Sequence, residues 1–244
     1  MTGGMIMKIS KRSLRLLPVT LLLEMLTPFL TFLIIIVAGV IAGAAGKLAG
    51  TVTAAFSGLL LVAVWITGSV FVYGIMELSR YFRYSWYLHI VCFVLKAVNL
   101  VLDGFSSIMG DEVAPGTVNT YQVITDVLSS ARQLTGITAI GLAIIGLMVV
   151  LHKVGEQTLS RKCRKYAYFV FILGILLTLA DIVNLILTVA APGISASPST
   201  AYLPFLVIYA MMVILMVIIS IPVFMTIRKS CKTIYGMLSK AQEV

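Results

Sequence analysis

Six mainly apolar stretches run through the chain, at about 17–44, 52–77, 85–106, 136–153, 166–190 and 203–227, joined by short connections. A helix that crosses a hydrocarbon core about 30 Å thick needs roughly 20 such residues. Composition agrees: 60% of residues are hydrophobic and 11% charged, with mean hydropathy +1.09, against about 45–50% and about 25% in soluble domains. The expected fold is an all-α integral membrane protein, one polytopic domain over 1–244 with six transmembrane helices in a single bundle.

The first stretch follows a basic arm of Lys8, Lys11, Arg12 and Arg15 and runs apolar from Leu16 to about Ala45. A signal-peptide core covers only about 7–15 residues, so this run reads as a retained first span, kinked at Pro28. Positive residues near short loops stay cytoplasmic. With the N-terminus inside, 15 of the 18 lysines and arginines fall on one side: the arm, Arg80 and Arg83, the group Lys153, Arg161, Lys162, Arg164 and Lys165, and the tail residues Arg228, Lys229, Lys232 and Lys240. Only Lys47 and Arg132 fall outside, and Lys96 falls within a span. The expected location is the cell membrane, multi-pass, with both termini cytoplasmic.

The net charge of +9 thus follows from topology and implies attraction to anionic inner-leaflet lipids through the basic loops. It does not imply nucleic acid, because no binding motif accompanies it. Cys92, Cys163 and Cys231 are isolated and suggest reduced thiols rather than a disulfide framework. The longest outer connection, Ser107 to Thr135, carries Tyr121, Ile124, Val127, Leu128 and Ala131 at helical spacing. It predicts an outer interfacial helix near 119–133, covering span ends or acting as a lid. Past the sixth span Ile227, Cys231, Ile234 and Leu238 keep a 4-3-4 rhythm that extends the helix.

Three spans carry polar stripes. In the third, Ser85, His89, Cys92, Lys96, Asn99, Asp103 and Ser106 alternate spacings of 4 and 3, which keeps them on one helical face. The fifth carries Gly174, Thr178, Asp181, Asn184 and Thr188, and the first Thr20, Glu24, Thr27 and Thr31. Residues 80–103 also align with 165–188 as a weak parallel repeat, placing Lys96 on Asp181 and Asn99 on Asn184. Lys96 lies 16 residues past Arg80, and Asp181 lies 16 past Lys165, equal depths of roughly 24 Å of helix rise. An unpaired ammonium in hydrocarbon is costly, so Asp181 is the expected counter-ion of Lys96, with Asp103 a second station two turns on.

Lys96, Asp181, Asn99, Asp103, Asn184, Glu24 and His89 therefore form the candidate set. They are either a structural ion pair fixing helix register or a polar solute path between spans one, three and five. Glu24 reads as a snorkelling carboxylate or a proton carrier, and His89 as an interfacial hydrogen-bonder. His89 with Cys92 supplies too few ligands for a metal. Gly39 with Gly43, and Ala38 with Ala42, have the spacing of close helix contacts. Glu77 near Arg80 reads as a surface ion pair. No GxSxG, HExxH or Walker A pattern occurs, so neither catalysis nor a cofactor is expected. Two function classes lead. One is a small permease or transporter subunit using the Lys/Asp/Glu cluster. The other is a non-catalytic membrane scaffold or assembly partner, binding another protein or a second copy of itself. An intramembrane enzyme is the third and weakest class.

Overall fold

A computed structural model describes residues 11–109, 120–190 and 203–240. They form seven α-helices: α1 (Lys11–Met25), α2 (Thr27–Ala45), α3 (Lys47–Tyr73), α4 (Arg80–Met109), α5 (Thr120–Lys153), α6 (Gln157–Ala190) and α7 (Leu203–Lys240). Six segments are long and apolar enough to cross a membrane, and no strand occurs among the described residues. Residues 110–119 of the expected outer connection lie outside the described residues.

The first apolar run divides into α1 and α2 at Leu26. Pro28 has no N–H to give the carbonyl of Glu24, so the helix loses a rung there. Backbone bonds from Leu26 to Leu22 (3.0 Å) and from Leu30 to Leu26 (2.9 Å) keep both sides helical, and the break is a kink. Gly46 (φ +91°) then turns α2 directly into α3. Gly155 (φ +87°) turns α5 into α6: its N–H reaches His152 O at 3.1 Å and that of Glu156 reaches Leu151 O at 2.9 Å. This is a Schellman closure, which needs the left-handed conformation that glycine adopts without penalty.

Residues 120–133, expected as a separate interfacial helix, are instead the first turns of α5, one uninterrupted 34-residue helix. Nothing between Tyr121 and Ile140 forces a break, since Gly136 alone weakens a helix by only about 1 kcal/mol. This extension carries Ser129, Arg132 and Gln133 into the bundle. The last helix likewise continues unbroken to Lys240. Its extension buries Ile227, Cys231 and Ile234 in the same core as Leu14, Leu17 and Leu21 of α1, so this stripe faces protein.

α5 is the central element, with 61% of its apolar window buried, whereas α2 buries none of its window. α5 packs against α4 and α6, and also touches α1 and α7, while α1 leans on α3 and α7. Glycines on α5 admit rings from three neighbours. A Cβ at Gly136 would lie 2.7 Å from the Trp65 ring, one at Gly146 would lie 2.8 Å from Phe82, and one at Gly141 would overlap Phe171. Gly39 and Gly43 of α2 have nothing within 4 Å of a Cβ; Gly50 of α3 is the close approach, 2.6 Å from Ala42 Cβ and 3.0 Å from Ala38 O. The alanine pair thus meets a neighbouring helix and the glycine pair faces open space.

The outer surface of the bundle is apolar: Val40, Phe56, Tyr168, Ile186, Ile218 and Met225 are all more than half exposed. Leu14, Ile75, Phe82, Leu151, Leu159, Cys163 and Ile234 belong to a single buried cluster; Arg15, Arg228 and Lys232 line one hollow and Lys153, Arg161 and Arg164 another. Glu77 bonds Arg83 at 3.7 Å rather than Arg80. Both side chains are about half exposed, so this pair adds little stability.

Candidate functional site

The site begins where α1 and α4 face each other. On α1, Thr20 Oγ1 donates to Leu17 O at 3.0 Å and Thr27 Oγ1 to Leu23 O at 3.3 Å, satisfying hydroxyls within their own helix. Between them Glu24 is 2% exposed and His89 of α4 is fully buried, with Glu24 Oε2 3.1 Å from His89 Nε2. His89 Nδ1 lies 2.8 Å from Ser85 O. A carbonyl oxygen only accepts, so Nδ1 carries a hydrogen. One further proton then lies between Nε2 and Oε2. On the imidazole it makes an ion pair; on the carboxyl it makes a neutral pair.

The pair is held from several sides. Ser85 Oγ donates to Ala139 O of α5 at 2.7 Å, and Cys92 Sγ lies 3.7 Å from Arg132 O, tying the α4 stripe to α5. The Trp65 ring stands 5.4 Å from the His89 ring at 52°, and Gly136 provides the notch that receives it. Gly68 provides a second notch: a Cβ there would overlap Glu24 Oε1 and lie 2.8 Å from Glu24 Cδ.

Beside the pair lies a cavity of about 200 Å³. Its polar lining is Glu24, Thr27, Thr31, Trp65, Ser129, Arg132, Gln133 and Asp181. Arg132 is only 8% exposed, and it lines the cavity together with the opposite charge of Asp181. Among the described residues six buried side-chain N or O atoms make no hydrogen bond within the protein. Five of them belong to residues of this cavity wall: Glu24 Oε1, Thr31 Oγ1, Trp65 Nε1, Arg132 Nε and Gln133 Nε2. Unsatisfied buried polar atoms are costly, and their concentration on one wall marks the cavity as a place built for a polar occupant.

The expected residues distribute as follows. Glu24, His89 and Asp181 come together around the cavity. Lys96 is half-buried on α4 and is not part of the cavity wall. Asn99 is 6% exposed, and its Oδ1 is the sixth unbonded atom. Asp103 and Asn184 lie on α4 and α6, and their side chains lie outside the described residues. No group of three metal-ligating side chains occurs among the described residues.

Sequence reasoning passed over Arg132, Gln133 and Trp65. The signal was present for α5, because Ser129, Arg132, Gln133 and Gly136 follow one another on one helical face that continues through Ile137 and Ile140. It was present for the buried pair too: Glu24 is nine residues past Arg15, and His89 is nine past Arg80, so the depth count that joined Lys96 to Asp181 also joins these two. No protein family, curated protein or solved structure matches the chain.

Proposed function

We propose that the chain is a six-span membrane protein with both termini cytoplasmic, and that it works as a small permease or transporter subunit whose solute site is the cavity beside Glu24 and His89. The carrying observation is that five unbonded polar atoms belong to residues lining one cavity inside an otherwise apolar bundle. Ionisable residues inside membrane helices are expensive to keep, and they mark solute or proton paths. The Glu24–His89 pair supplies a proton that moves between two atoms without any change of fold. The basic hollow between α1 and α7, lined by Arg15, Arg228, Lys232 and Tyr235, supports the orientation and contact with anionic lipid headgroups.

The test is water access. Ser129→Cys in the full chain, in native membranes, will react with a small hydrophilic thiol reagent, whereas the parent with its buried Cys92, Cys163 and Cys231 will not. A Ser129→Cys protein as inert as its parent would remove the solute-site proposal. It would leave the scaffold alternative, in which the pair only fixes helix register.

A further inference from the structure

The chemistry of the unbonded atoms narrows the solute. Three of the five are N–H groups of residues that line the cavity: Trp65 Nε1 from α3, and Arg132 Nε and Gln133 Nε2 from adjacent positions of α5. Trp65 is 4% exposed and Arg132 8%, so neither can turn to bulk water. Three unbonded donors from two helices, one of them charged, match an oxyanion, which only accepts hydrogen bonds. The volume of about 200 Å³ equals that of about seven liquid waters at about 30 Å³ each. The oxyanion is therefore small.

Charge decides between a carboxylate and a phosphate. Arg132 and Asp181 are opposite charges on the same wall. Lys96 of α4 and Asp126 of α5 are a further cation and anion on two helices that pack against each other. The Glu24–His89 pair is neutral as a whole with its one shared proton. Among the described residues these charges balance before any solute enters, and a monoanion leaves one excess negative charge in a low-dielectric interior. A phosphate dianion leaves two. Buried excess charge is the costly state, and one added proton removes it for a monoanion alone. Glu24 Oε1, unbonded within the protein, is the open position for that proton: Nε2 keeps the shared one, and the Glu24 carboxylate becomes a carboxylic acid.

Resting on the solute-site proposal above, we infer that the cavity binds a small monocarboxylate through Trp65, Arg132 and Gln133, and that it takes up one proton with it at the Glu24–His89 pair. The chain has two tryptophans, Trp65 and Trp86, so Trp86→Phe leaves a single reporter inside the site. In the purified full chain with this change, lactate will shift the tryptophan emission saturably. Its apparent affinity will fall by about tenfold per pH unit as pH rises through the range where the pair gives up the proton. Adding Arg132→Met will weaken binding by at least about tenfold, and Arg132→Lys, which keeps the charge, will weaken it less. Both variants are to be compared at equal thermal stability in the same detergent.

Lactamide, a neutral isostere, binding as well as lactate would overturn the oxyanion assignment, and stronger binding of inorganic phosphate would overturn the carboxylate assignment. Binding of lactate indifferent to pH, or to Glu24→Gln, would overturn the proton. No saturable lactate signal overturns the whole inference. If Ser129→Cys is nevertheless labelled, the solute-site proposal stands without it; if it is not labelled, both fall.

Discussion

Glu24 Oε2 and His89 Nε2 lie 3.1 Å apart in the interior, joining residues 65 positions apart on α1 and α4. Neither side chain reaches water, and the imidazole is oriented by Ser85 O on its far nitrogen. The arrangement fixes the tautomer and leaves one proton free to sit on either partner.

Removal of one partner exposes the dependence of the other. His89→Ala will lower stability by about 3 kcal/mol or more, because Glu24 stays buried with neither oxygen bonded. Glu24→Leu combined with His89→Leu will cost less than His89→Ala alone. Unfolding midpoints in detergent micelles measure this. Losses that simply add in the double variant would mean that the two side chains do not act as a pair.

Gly68 is required by the carboxylate beside it. Gly68→Ala will destabilise the protein by about 1–3 kcal/mol, the range for overpacking a tight interior, as the new Cβ drives Glu24 from its place. Glu24→Ala in the same chain will remove most of that penalty. A Gly68→Ala protein as stable as its parent would show that Glu24 has room to sit elsewhere.

Arg132 and Asp181 share the cavity wall, and Lys96 does not. A double-mutant cycle of Arg132→Met with Asp181→Leu will therefore show a coupling of about 0.5–3 kcal/mol. The same cycle with Lys96→Met will be additive to within about 0.5 kcal/mol. The reverse ranking would make Lys96 the counter-ion of Asp181 and take Arg132 out of the site.

Glycines separate close packing from open surface. Gly39→Ala and Gly43→Ala meet nothing and will leave stability unchanged or raise it by up to about 1 kcal/mol through helix propensity. Gly50→Ala meets Ala42 and Ala38 O and will lower it. Gly155→Ala, at φ +87°, will cost about 1 kcal/mol from backbone conformation alone. Thermal unfolding of the four single variants ranks them directly. A loss at Gly39 or Gly43 as large as at Gly50 would mean that this face of α2 is covered, for instance by a second copy of the chain.

Much of this architecture was legible in the chain itself. Six helices long and apolar enough to cross a membrane follow from sums of hydropathy over about 20 residues, and Pro28 announces the kink between α1 and α2 through its missing N–H. The 4-3 spacing of Ser85, His89, Cys92 and Asn99 placed all four on one face, and all four are buried. Reading α5 went differently. A polar start with Arg132 and Gln133 resembles a surface helix, and hydropathy cannot tell a polar face turned to water from one turned to an interior cavity.

Which stripe meets which was a tertiary decision. Depth along a helix is a one-dimensional count, and it allowed Glu24 with His89 as readily as Lys96 with Asp181. The rotation of each helix about its own axis is not contained in that count. It is set by shape: Gly68 admits the Glu24 carboxylate, Gly136 admits Trp65 beside His89, and the unbroken α5 brings Arg132 to Asp181. Local spacing determined that polar groups would line up along single helices. Packing between helices, through contacts tens of residues apart in the chain, determined which of them would share a proton and a cavity.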